Sequence, residues 1–180
     1  MKTEDYIPEY CLKPILILGC GNILRGDDGF GPQVVESLRV RYTIPEEVAV
    51  LDAGTGVEEI VLDVALSPQK PQKIVLVDVL DRGLPAGTIS VLHLESLPKT
   101  EIRHLSLHQE PTSSLLRELE DLGVEVILVT VQPESIPDSV KVGLSDPVQR
   151  ASSQICQIIA KDFFNIEPDG YSLTRGGINL

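Results

Sequence analysis

The sequence contains no tryptophan, and aromatic residues make up only 4% of its 180 positions. A core built from it must rest on Val, Ile and Leu. Basic residues are also in short supply, with 15 Lys and Arg against 27 Asp and Glu, a net charge of −12. That balance argues against a nucleic-acid partner, whose phosphates require Lys and Arg, and against a polybasic membrane contact. Cysteine is scarce: Cys11, Cys20 and Cys156 form neither a Cys-x-x-Cys pair nor a zinc-finger spacing. An odd set of thiols fits a reducing cytoplasm better than a disulfide framework. No apolar run approaches the roughly 20 residues needed to cross a bilayer. The opening MKTEDYIPEYCLK has no apolar centre of the signal-peptide kind. The expectation is a cytoplasmic, monomeric protein without membrane insertion.

Apolar runs alternate with amphipathic ones. Pro14 to Gly19, Glu47 to Asp52, Lys73 to Val79 and Glu125 to Val131 are continuously apolar, or nearly so, as strands buried on both faces are. Thr88 to Leu94 alternates and predicts an edge or antiparallel strand. Four helices are expected between and after them. Gly29 to Tyr42 carries Phe30, Val34, Val35 and Leu38 on one face, with Pro32 in the first turn. Val57 to Leu66 is the second. Thr112 to Leu122 is the third, with Gly123 as its C-terminal cap. Asp146 to Phe163 is the fourth, opened by Ser145 or Asp146 with Pro147 behind. This alternation predicts a three-layer α/β sandwich, a twisted, mostly parallel sheet of about five strands flanked by helices. Residues 1–164 would form the single domain, and the polar, Gly-rich 165–180 a flexible tail.

Ligands in such folds bind at the C-terminal ends of the strands. The first strand ends in Gly19-Cys20-Gly21-Asn22, and Asp52 ends the second, which suggests a dinucleotide fingerprint. Two features oppose it. Leu24 stands where the last glycine of G-x-G-x-x-G belongs. Asp27 and Asp28 lie at the start of the first helix, where carboxylates would compete for the N–H donors that a phosphate uses. One Asp suffices to cap a helix, which leaves the second free to project into the crevice. Asp78 ends the third strand, where a buried charge costs several kcal/mol unless paired or bound to a cation. His108 stands in a loop at the entrance of the third helix. His93, within a strand pattern, and His104 are weaker candidates. Asp28, Asp78 and His108 together make a three-ligand set suited to borderline divalent ions such as nickel or zinc. Metal-free acid–base chemistry by the same groups is the alternative. No Ser or Cys occupies a nucleophile elbow, and Cys20 reads as a small apolar residue packed at a strand end.

The stretch from Ile17 to Gly31, ILGCGNILRGDDGFG, resembles the opening signature of the hydrogenase maturation proteases. Asp52-Ala53-Gly54-Thr55 resembles their Asp-Gly loop, Val77-Asp78 their strand-end Asp, and Leu107-His108-Gln109 their His-Gln pair. The ordered set covers residues 14–150. The stretches 106–113 and 143–148 are similar to the branch serving deazaflavin-reducing hydrogenases. The resemblance implies an endopeptidase that removes the C-terminal extension of a nickel-iron hydrogenase large-subunit precursor after nickel insertion. It places catalytic and nickel-ligating roles on Asp28, Asp78 and His108, with nickel arriving on the precursor. A nucleotide-binding oxidoreductase and a non-cleaving nickel assembly factor are the alternatives.

Overall fold

The computed structural model describes residues 7–97 and 110–166. Five strands form one sheet: β1 (Ile15–Cys20), β2 (Val48–Gly54), β3 (Lys73–Val79), β4 (Ile89–His93) and β5 (Glu125–Val131). Their order is β2-β1-β3-β5-β4. All neighbours pair in parallel except β4, which runs antiparallel along β5 at one edge. The alternating pattern of residues 88–94 is explained by that edge: one face of β4 is covered and Val91 on the other is half exposed.

Four α-helices flank the sheet among the described residues: α1 (Phe30–Arg41), α2 (Val57–Leu66), α3 (Glu110–Asp121) and α4 (Asp146–Phe164). The sequence-based bounds agree with these to within about two residues. Two cores result, one on each side of the sheet. Phe30, Val34, Val35 and Leu38 of α1 and Ile155 and Ile159 of α4 pack on Ile17, Val75, Val77 and Val129. Val61 and Val64 of α2 and Leu116 and Leu119 of α3 pack on Leu16, Leu18, Leu76 and Leu128. Alternate residues of each central strand therefore serve opposite cores, which is why these strands are apolar throughout. Each such side chain, fully buried, stabilises the fold by about 1.5–3 kcal/mol over its exposed state. The scarcity of aromatics costs nothing here, since branched aliphatics fill both layers.

Gly123 ends α3 with a φ of 90°, as its position past the last apolar residue predicts. One capping expectation is corrected. Neither Asp27 nor Asp28 caps α1; both lie in a short 3-10 turn, Gly26–Gly29, and α1 begins after Gly29 without a side-chain cap. The expected tail, 165–180, is corrected at its start: its first two residues belong to the domain, Asn165 ending α4 with a φ of 55° and Ile166 packing against the core, and 167–180 lie outside the described residues.

Candidate active site at the strand ends

The site is organised by close contact between β1 and the start of α1. A Cβ on Gly31 would collide with the carbonyls of Cys20 and Val77, and one on Gly19 with the carbonyl of Gly31. Glycine at both positions lets the helix entrance lie directly on β1 and β3. Gly21, with a φ of 120°, turns the chain off the sheet, and its missing Cβ leaves room for the carbonyl of Asp28. These contacts bring the 3-10 turn over the ends of the central strands.

Asp28 is 6% exposed, and its Oδ2 accepts a hydrogen bond from the backbone N–H of Asn22 at 3.0 Å. Its carboxylate therefore lies over the turn that follows Cys20. Asp78 is fully buried, and its Oδ1 accepts from the N–H of Val79 at 2.7 Å. Gly19 pairs with Val77 in register, so Cys20 and Asp78 are the next residues on adjacent strands. Burial pushes the Cys20 thiol well above its ordinary range, and the carboxylates of Asp78 and Asp52 push it in the same direction. Its sulfur lies 3.8 Å from the Leu18 carbonyl. Cys20 is thus a protonated, sequestered thiol among acids, not an activated nucleophile. This agrees with its reading as a packing residue.

Asp27 performs a task that its sequence position does not reveal. The carboxylate is 1% exposed and takes four donors from one loop. Its Oδ2 accepts from the N–H groups of Glu134 at 2.8 Å and Ser135 at 3.1 Å, and from the Ser145 hydroxyl at 2.9 Å. Its Oδ1 accepts from the Ser145 N–H at 2.6 Å. Ser145 precedes α4 as expected, but its hydroxyl serves Asp27 instead of the helix. Between these anchors, Arg25 and Lys141 form a parallel bridge: the Gly26 N–H donates to the Lys141 carbonyl and the Lys141 N–H to the Leu24 carbonyl. The Arg25 guanidinium donates to the Pro137 carbonyl at 3.3 Å and meets Asp138 at 3.2 Å. The whole 134–145 segment is fastened to the turn that carries Asp28.

Gln132 is a second organiser that the sequence reading missed. It is buried just past β5, and its Oε1 accepts from the N–H groups of Arg82 and Leu84 while its Nε2 donates to Asp81. It holds the loop that follows Asp78. A polar residue directly after the apolar run of β5 was the available signal.

The fold and these acids define a three-layer α/β protein with buried carboxylates gathered at the C-terminal ends of its central strands. His93 is not part of it: it is exposed, pairs with Ile127 near the opposite end of β5, and faces Glu125 at 3.6 Å. His108 and His104 lie outside the described residues. Among the described residues no three Asp, Glu, His or Cys form a metal-binding group, so the expected ligand set is represented by its two carboxylates alone. No helix among the described residues is long and apolar enough to cross a membrane.

The sequence profile of the hydrogenase maturation proteases matches residues 32–162. A protein of Methanocaldococcus jannaschii that bears a provisional hydrogenase maturation protease name is 36% identical over 149 residues, covering 82% of this chain and 94% of that one. The coenzyme F420 hydrogenase subunit delta of Methanothermobacter thermautotrophicus is 34% identical, covering 81% and 91%. The hydrogenase maturating endopeptidase HybD of Escherichia coli superposes with a TM-score of 0.65 at 29% identity, over 83% of this chain and 93% of that one. The chain belongs to the hydrogenase maturation protease family. It is a hydrolase, a protease that acts in hydrogenase maturation, and the oxidoreductase alternative falls with that assignment.

Proposed function

We propose that this protease removes the C-terminal extension of a nickel-iron hydrogenase large-subunit precursor once nickel has been inserted. Asp28, Asp78 and His108 recognise the nickel that the precursor carries. The observation that carries this reading is that two buried carboxylates, Asp28 in the turn before α1 and Asp78 at the end of β3, lie where the helix entrance packs on the ends of β1 and β3. Neither caps a helix: each accepts a backbone N–H, from Asn22 and from Val79, and a carboxylate held in this way is an oxygen donor suited to a divalent cation. Two carboxylates and an imidazole complete the coordination of a borderline divalent ion that already has protein ligands. The metal, held on the precursor, would polarise the scissile carbonyl or the attacking water. The chain's own groups would fix the peptide against the strand ends and accept the proton from water. Cys20, buried and protonated, is a poor nucleophile, which favours attack by water. The likeness to the F420 hydrogenase delta subunit supports a deazaflavin-reducing hydrogenase as the source of the precursor.

The test is processing of a nickel-loaded precursor, read as loss of mass from its C-terminus. Asp28→Asn, Asp78→Asn and His108→Ala should each abolish processing while circular dichroism stays native. Normal cleavage by any two of the three would defeat the assignment.

A further inference from the structure

A cleft of about 370 Å³ opens directly beside the turn that carries Asp28; Gly26 and Gly29, which bracket that residue, form part of its lining. One wall is apolar: Ile23 (57% exposed), Val142 (75% exposed) and the half-buried Leu144. Exposed aliphatics scattered singly are ordinary, but here they gather on two segments that the structure deliberately joins. The Arg25–Lys141 bridge and the four donors to Asp27 fasten the Val142 side to the Ile23 side, so the wall is ordered before anything binds. The lining from α1 and β2 consists of Pro32, Gln33, Glu36, Ser37 and Asp52, so its charged groups are both acidic, and no Lys or Arg lines the cleft.

We propose that this cleft is the docking groove for an extended segment of the hydrogenase precursor, one that presents an aliphatic side chain to Ile23 and Val142 and an adjacent Lys or Arg to Glu36 and Asp52. The inference rests on the reading of the chain as the enzyme that processes such a precursor. Two features single out this occupant. The cleft is continuous with the turn holding Asp28, so a chain lying in it is delivered to the strand ends. Its charge is of one sign, so a basic residue beside the aliphatic one is matched and an acidic one is repelled.

The experiment uses the full chain and a nickel-loaded large-subunit precursor. Kd is read by calorimetry, and KM and kcat by mass spectrometry of the product. The double variant Ile23→Ser, Val142→Ser should raise Kd and KM on the order of tenfold while kcat stays within about twofold, as expected for lost apolar contact made in the ground state and transition state alike. Glu36→Gln should flatten the salt dependence of Kd. Val91→Ser, which removes an aliphatic side chain 48% exposed on the distant β4, should change nothing. An unchanged Kd and KM in a natively folded double variant overturns the groove. So does a loss of self-association with no effect on the precursor, which would give the cleft to a second copy of the chain. Binding without cleavage by the wild-type chain would defeat the proposed function while the Kd comparison still decides the groove. Failure of the wild-type chain to bind at all overturns both.

Discussion

The buried carboxylate of Asp27 receives the hydroxyl of Ser145 at 2.9 Å, although 118 residues separate the two in the chain. With the N–H groups of Glu134, Ser135 and Ser145 on the same carboxylate, this contact ties the entrance of α4 to the turn before α1. A buried carboxylate is compensated here by four donors, bonds that an ionised acceptor makes stronger than neutral ones.

Asp27→Ala should therefore destabilise more than a typical surface change. It removes the shared acceptor of four partly buried donors, at about 1–3 kcal/mol for each one that water does not satisfy. A total on the order of 3 kcal/mol or more is expected, read as a lower urea midpoint. Ser145→Ala removes one donor and leaves three, and should cost only about 1 kcal/mol. Equal effects of the two variants would mean that Asp27 is not the centre of the clamp.

Gly31 offers a second test of how the site is held. A methyl group there meets the carbonyls of Cys20 and Val77, both main-chain atoms of a packed sheet that cannot step aside. Gly31→Ala should lower stability by about 1–3 kcal/mol and lift the α1 entrance from β3. Gly123→Ala is the contrasting case. A Cβ there meets nothing within 4 Å, so its cost comes only from the φ of 90°. That should be about 1–2 kcal/mol. Processing activity should fall with Gly31→Ala and not with Gly123→Ala.

The three thiols predict the alkaline limit of stability. All are buried, and burial pushes each upward, Cys156 from its ordinary 9.0 to about 11. The folded state thus keeps its thiol protons to higher pH than the unfolded chain does. The stabilisation is complete below pH 9 and is lost as pH rises towards 11, a decline of about 2–3 kcal/mol for Cys156. Urea unfolding at stepped pH should show that decline, and Cys156→Ala should flatten it. Iodoacetamide at neutral pH should leave all three unlabelled in the native protein. Cys20→Ala should keep its processing activity.

Much of the fold was legible because period and punctuation agreed with each other. The continuous apolar runs became central parallel strands, the alternating run became the antiparallel edge, and Pro32, Pro147 and Gly123 fell where helices begin and end. The placement of Asp78 at the end of β3 and of Asp28 in the turn before α1 was legible for the same reason, since both interrupt apolar or glycine-rich surroundings. The expectation that one of Asp27 and Asp28 caps α1 failed, and the role of Asp27 was not legible. Its partners lie in the 134–145 loop, and local spacing carries no information about a contact made across more than a hundred residues. Gln132 was missed because one polar residue after a strand reads as the start of a loop. The wall of the cleft was also hidden: Ile23 and Val142 stand 119 residues apart in the sequence, and only the Arg25–Lys141 bridge brings their segments together.

The last prediction concerns where the nickel resides. On the proposed reading the chain contributes two carboxylates and one imidazole, a set that holds a borderline ion weakly on its own. A thiolate would hold it far better. Cys20 is the only cysteine near the acids, and burial together with the charges of Asp78 and Asp52 keeps it protonated. A ligating thiol must lose its proton, so Cys20 is unsuited to that part. On that reading the precursor would bring its nickel already held by cysteines, and the enzyme would complete the coordination. Cleavage then becomes a checkpoint that metal insertion must pass. Enzyme stripped with a chelator and separated from it should cleave nickel-loaded precursor at the rate of untreated enzyme. The same enzyme should leave nickel-free precursor intact, even with micromolar zinc present. A stripped enzyme that is inactive on nickel-loaded precursor and recovers with zinc would instead possess a catalytic metal centre of its own, and the checkpoint would have to be given up.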